Sequence, residues 1–220
     1  MRIKWNLPNR GYLIMIKKHI LILPGDEVGP EITTEVIKIL DFFNESKMTN
    51  ISYEFGDIGG ASLDKYNKPI TDETLDSARK SDAVLLASVG TPKYDNNARA
   101  LKPEYGLLVL RKHLNLFINI RPIFTFNTLL DFSSIKSELI DELDIVIIRE
   151  LIGDVYFGEP RGFKDVNGER VGYNTMLYSE SEVQRITKFA IDISLKRKKR
   201  IPSIDKANVL GCSQLRRQTV

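Results

Sequence analysis

Three continuous apolar stretches, residues 19–23, 83–89 and 145–148, lack the alternation expected of a strand with one wet face. Continuity of that kind predicts strands buried on both faces, as in a parallel sheet. The first stretch runs into PGDEVGPE, where Gly25 and Gly29 permit a tight turn and Pro30 suits the first position of a helix. Ile32, Val36, Ile37, Leu40 and Phe43, spaced by three and four, predict a helix over 31–44 with one apolar face. Strand, glycine turn and helix in that order make a β-α unit and place the chain in the α/β class.

Thr71 is the expected N-cap of a second helix, which turns Thr74, Leu75 and Ala78 inward and ends before Ser81. Residues 94–103 read as a loop and 104–114 as a helix. Five glycines (Gly153, Gly158, Gly162, Gly168 and Gly172) and a loose alternation over 154–174 predict an extended arm or hairpin. A helix over 181–195 has Val183, Ile186, Ala190 and Ile193 on one face. The basic run at 196–200 reads as cations closing that helix, favoured by the dipole by a few tenths of a kcal/mol each, in preference to a nucleic-acid signal.

Composition narrows the class without naming a function. The 220 residues are 42% hydrophobic and 28% charged, which excludes a disordered tail or a collagen-like fibre. A net charge of +3 is too small to argue for a nucleic-acid partner. No apolar run reaches the roughly 18 residues that span a bilayer. The single cysteine, Cys212, excludes an internal disulfide and a multi-cysteine zinc site, and fits a reducing compartment. Residues 1–14 read as an N-terminal extension, basic through Arg2, Lys4 and Arg10, with Met15 the expected initiator. Two domains are expected: 15–116, and 117–220 with an arm near 151–175.

Three arginines, Arg111 in VLRK, Arg121 in NIRP and Arg149 in IIRE, directly follow apolar residues. A lone arginine is ordinarily a solvated surface residue. Three planar forks that each match a carboxylate two bonds at a time suggest a small di-acid, not a polyanion. Tyr156, in VYFGEPRG, is either a packed ring or, beside cations, a proton donor. Lys206, in the apolar stretch SIDKANVL, is either paired with Asp205 or a base made available by burial or neighbouring cations. There is no GxGxxG, and GGAS at 59–62 is only a partial echo of it.

Seven stretches in order, LPGDEVGPE, IGGASLDKY, DAVLLASVG, PEYGLLVLRKHLNLFINIRP, VIIRELIGDVYFGEPRG, YNTMLYSESEVQRI and SIDKANVL, resemble the 3-isopropylmalate dehydrogenases. These are the leucine-biosynthesis branch of the β-hydroxyacid oxidative decarboxylases, which include isocitrate dehydrogenases. The resemblance implies an isopropylmalate dehydrogenase-like α/β fold of two domains with a parallel or mixed sheet, and NAD-dependent oxidative decarboxylation of 3-isopropylmalate to 4-methyl-2-oxopentanoate. It assigns Arg111, Arg121 and Arg149 to the malate carboxylates, Leu107 and Leu108 to the isopropyl group, and Thr91, Glu104 and Asn208 to the cofactor side. Lys206, from a partner subunit, would take the hydroxyl proton, and Tyr156 would protonate the enolate. It implies a homodimer with a shared site, no nucleic-acid or membrane partner, and a Mg or Mn ion.

None of the metal-chelating aspartates of the resemblance can be placed in the chain, which would stop short of a full member at Val220. Two alternatives follow: an inactive fragment or broken-gene product, expected to form no NADH alone, or a non-catalytic dimer partner of an intact subunit. Local departures are Glu27 and Thr91 where glycine is usual, Ile152 and Asp154 where threonine and glycine are common, and Gly211, Cys212 and Arg216 near the end. The NGERVGYNTMLY wording and the richness in Ile, Lys and Asn suggest a plastid setting, with the cytoplasm as the alternative.

Overall fold

The fold is described by a computed structural model over residues 17–220; the 1–14 extension and the Met15 start lie outside the described residues. The chain divides into two compact units, with the border between Leu114 and Asn115. The earlier unit is built on strand β1 (Lys17–Gly25), which pairs in parallel with both β2 (Asn50–Phe55) and β3 (Ala83–Ser88). The order is β2-β1-β3, with Ile22 in register with Phe55 on one side and Leu85 on the other. A central strand touches protein on every side, so Leu21, Ile22 and Leu23 are fully buried, as their continuous apolar run requires.

Helices α1 (Gly29–Glu45), α2 (Gly60–Tyr66), α3 (Asp72–Lys80) and α4 (Pro103–His113) complete this unit. Leu21 and Leu23 of the sheet, Ile58, Ile70, Leu75 and Ala78, and Leu110 of α4 form one buried cluster. Thr71 caps α3, its Oγ1 accepting from the Thr74 N–H at 3.2 Å. Gly106 sets the depth of α4, since a Cβ there would lie 2.4 Å from the Pro69 carbonyl oxygen. The predicted apolar face of α1 is only partly covered: Val36, Ile37 and Leu40 are half-buried, whereas Ile32 and Phe43 are exposed. Ile32 and Val36 instead line an apolar groove of about 180 Å³ with Leu85 and Leu86 of β3, an edge strand among the described residues.

The later unit starts with β4 (Ile118–Phe124) and β5 (Asp144–Glu150), joined through a 3-10 helix and the short α5 (Ser137–Ile140). The expectation of a buried parallel strand at 145–148 is corrected here: β5 runs antiparallel to β4, with Ile148 opposite Ile120. A continuous apolar run reports that both faces suit apolar cover, but it carries no information on strand direction. In this chain Val146 and Ile148 are half-buried while Ile145 and Ile147 stay exposed. The predicted arm contains a hairpin, β6 (Gly162–Val166) with β7 (Glu169–Tyr173). Its two-residue turn, Asn167-Gly168, has positive φ at both positions, the combination that suits the twist of a tight hairpin.

Helix α6 (Glu180–Leu195) packs on β5, and α7 (Gly211–Thr219) packs on α6. A reciprocal capping box starts α6: the Ser179 hydroxyl accepts from the Glu182 N–H, and the Glu182 carboxylate accepts from the Ser179 N–H. Arg216, which stands where a ring was expected from the resemblance, donates to the Ile204 carbonyl at 2.7 Å.

Candidate active site

In the earlier unit, helix periodicity lines up four of the predicted residues. Glu104, Leu107, Leu108 and Arg111 fall at i, i+3, i+4 and i+7 of α4 and form one stripe along it. The adjoining face, Pro103, Gly106 and Leu110, is buried in the core. Leu107, Leu108 and Arg111 are half-buried and Glu104 is exposed. The stripe therefore offers a carboxylate, an apolar pair and a guanidinium in sequence along about two turns. Thr91 joins the Glu104 end: a Cβ on Gly90 would lie 3.1 Å from Glu104 Oε1, so the turn before Thr91 sits against that carboxylate.

That turn is held by a residue the sequence reading passed over. Asp26, buried at the end of the β1 turn, accepts from the Gly60 N–H (2.9 Å), the Ala61 N–H (2.9 Å) and the Gly90 N–H (2.8 Å). One carboxylate thus caps α2 and anchors the loop that carries Thr91. It also settles the GGAS echo, because the N–H groups a phosphate would use there are already bonded to Asp26. An acid immediately after a buried strand was the available signal, but its partners lie 34, 35 and 64 residues away.

In the later unit the antiparallel register decides which side chains share a face. Asn119 lies opposite Arg149, and Arg121 is two residues further along β4. Arg121 and Arg149 therefore project from the same face of the ribbon as diagonal neighbours. Arg121 Nε donates to Asn119 Oδ1 at 3.0 Å. Tyr156 comes to the same place, its ring 5.6 Å from the Arg149 guanidinium carbon. Both Arg121 and Tyr156 are exposed.

The loop between Arg149 and Tyr156 is fixed by Glu150. Its carboxylate, nearly buried, takes Arg185 Nη2 at 2.5 Å and accepts from the N–H groups of Ile152 and Gly153. Asp154 follows, with Oδ2 3.0 Å from Arg149 Nη2. That carboxylate, ahead of the desolvation that opposes it, raises the Arg149 pKa further above its ordinary value. Burial, with the charges of Asp154 and Glu150, pushes the neighbouring Tyr178 phenol up to about 12.

Lys206 does not lie in the apolar setting its flanking letters suggest. It is exposed on a turn, and its N–H donates to Ser213 Oγ at 3.1 Å. The alternative pairing with Asp205 is not made either: Asp205 takes Arg217 at 2.8 Å and accepts from the Ala207 N–H. Asn208, also exposed, lies on the same turn. Among the described residues no group of three or more His, Cys, Asp or Glu side chains could hold a metal ion. The described side chains therefore do not by themselves form a Mg or Mn site.

A family profile described as isocitrate/isopropylmalate dehydrogenase matches residues 19–220. The chain belongs to this family. Among curated relatives, the 3-isopropylmalate dehydrogenase of Pseudomonas savastanoi pv. phaseolicola is 50% identical over 206 residues, covering 93% of this chain and 57% of the relative. That of Thiobacillus denitrificans is 52% identical over 196 residues, or 89% of this chain and 55% of the relative. The chain thus spans little more than half the length of these relatives. Solved structures agree on the fold. A β-decarboxylating dehydrogenase from Thermococcus kodakarensis superposes with a TM-score of 0.63 at 28% identity, covering 92% of this chain and 53% of its own. An isocitrate dehydrogenase from Methylococcus capsulatus gives 0.71 at 25% identity, with 91% and 55% covered. The architecture is that of the isocitrate/isopropylmalate dehydrogenases, mixed α/β with a parallel sheet, over about half of those chains.

Proposed function

We propose that the chain serves the NAD-dependent oxidative decarboxylation of 3-isopropylmalate to 4-methyl-2-oxopentanoate, as a leucine-biosynthesis enzyme. The observation that carries the reading is the shared face of Arg121 and Arg149 beside Tyr156, in a member of this dehydrogenase family. Two guanidinium forks on one face suit the carboxylates of a malate better than a single monoacid. Leu107 and Leu108, with Arg111 on the same α4 stripe, favour an isopropyl substituent over the third carboxylate of isocitrate. Burying a carboxylate against leucines costs several kcal/mol, which sets the preference.

The roles are those that the family resemblance implies. Arg111, Arg121 and Arg149 bind and orient the carboxylates. Lys206 of a partner subunit takes the proton from the C2 hydroxyl as the hydride leaves C2. Thr91 and Glu104, against the Gly90 turn, and Asn208 suit the carboxamide of a nicotinamide, and NAD when bound supplies the hydride acceptor. The C3–carboxylate bond of the 2-oxo acid then breaks, releasing carbon dioxide and leaving an enolate. The Tyr156 hydroxyl delivers a proton to C3. A homodimer in a plastid stroma is part of this reading, the dimer resting on the partner's Lys206 and Asn208 and the location on residue wording alone.

Calorimetric titration of 3-isopropylmalate and isocitrate into the chain tests the assignment. Isopropylmalate is expected to bind at least about tenfold more tightly, the discrimination one misplaced carboxylate supplies. Isocitrate binding equally or more tightly overturns the substrate.

A further inference from the structure

Asp154 holds an unusual backbone position. Its φ of +83° is in the left-handed region that glycine adopts freely and L side chains avoid. In the stretch RELIGDVYFG it stands where the resemblance implies glycine, so a turn that suits glycine here carries a carboxylate. That carboxylate is largely shielded from solvent. Oδ1 accepts from the Val155 N–H at 2.7 Å, which fixes the plane of the carboxylate, and Oδ2 meets Arg149 Nη2 at 3.0 Å. The Asp154 side chain is 13% exposed against 44% for Arg149. The main chain is equally tied: the Asp154 N–H donates to the Leu177 carbonyl, and its own carbonyl accepts from Phe157 and Gly158.

The consequence falls on Arg149. With the Tyr156 ring over its guanidinium and Asp154 on Nη2, this arginine already has an intramolecular anion on one edge. An incoming carboxylate must either displace Asp154 or take what remains of the fork, and in both cases it meets a cation whose charge is partly offset.

We propose that Asp154 is an internal competitor for Arg149 that sets the affinity of this site for dicarboxylates, here 3-isopropylmalate, below that of the same site with glycine. This rests on the assignment of Arg149 to a substrate carboxylate. The competition is built into the loop, since hydrogen bonds to Val155 and Leu177 hold Asp154 in place without a ligand.

The experiment measures the Kd of 3-isopropylmalate by calorimetry for the 220-residue chain and for Asp154→Gly and Asp154→Asn. Glycine suits the positive φ, and asparagine tolerates it while keeping the side-chain volume, so folding of one variant suffices. Both are expected to bind roughly two- to fivefold more tightly, the range for releasing one partly exposed ion pair. In an Arg149→Met background the gain from Asp154→Asn is expected to vanish, which a merely structural effect on the loop would not do. Unchanged or weaker binding in the variants, with measurable binding by the parent chain, overturns the competition. Absence of binding in all three folded proteins overturns instead the assignment of Arg149 to the substrate.

Discussion

Replacing Asp26 tests how the active-site loop of the earlier unit is held. In Asp26→Ala three backbone N–H groups, those of Gly60, Ala61 and Gly90, lose a charged acceptor at 2.8–2.9 Å. Hydrogen bonds to charged groups contribute about 1.5–3 kcal/mol each, and water recovers part of that at the half-buried Ala61 and Gly90. The expected loss is roughly 3–5 kcal/mol, a large share of the ~5–15 kcal/mol that holds an ordinary domain together. Asp26→Asn keeps the shape but turns an amide donor toward at least one N–H, for a loss of about 1.5–3 kcal/mol. Urea unfolding gives the stability change, and amide hydrogen exchange reads the Gly60, Ala61 and Gly90 protons individually. Faster exchange is expected at all three together, because a single carboxylate serves them. A stability change under ~1 kcal/mol in the alanine variant, or Gly90 protection that survives it, would falsify the account of Asp26 as the common anchor.

Other expectations are more local. Ser179→Ala removes one half of the capping box and should cost about 1 kcal/mol by urea unfolding, with α6 fraying first in hydrogen exchange. Tyr178 has a phenol pKa raised to about 12, so the folded state prefers its neutral form. Its contribution to stability is complete below pH 10, where the unfolded phenol is also neutral, and is lost as pH rises from about 10 to about 12. Tyr178→Phe should flatten that alkaline limb, and a limb of unchanged slope would exclude the tyrosine as its source. In a preparation with measurable turnover, Tyr156→Phe should lower kcat while leaving 3-isopropylmalate binding near normal; equal turnover would remove the phenol from proton delivery.

Spacing along a single element was the part of the site most legible in the letters. The stripe of Glu104, Leu107, Leu108 and Arg111 needs only the period of a helix, and the buried β1 strand needs only a continuous apolar run. Features that depend on pairing across the chain were hidden. That Arg121 and Arg149 share a face follows from the antiparallel register of β4 and β5, which the apolar run at 145–148 could not disclose. Helix α2 has too few residues to display an apolar period and is started by an aspartate from the β1 turn. The substituted glycines point the same way. Glu27 and Asp154, which stand where the resemblance implies glycine, both have positive φ, and the Asp154 side chain meets Arg149. Lys206 shows the converse, since apolar neighbours in sequence left it exposed.

The most direct test of the account is to add 3-isopropylmalate to isotope-labelled chain and follow the guanidinium resonances of Arg121 and Arg149. Both should shift along one binding curve with a single Kd, and Arg121→Lys, which loses the planar fork at an exposed position, should weaken that curve by roughly tenfold. If the folded chain binds the ligand while either arginine stays unmoved, the two forks do not serve one di-acid, and the proposed function fails with them.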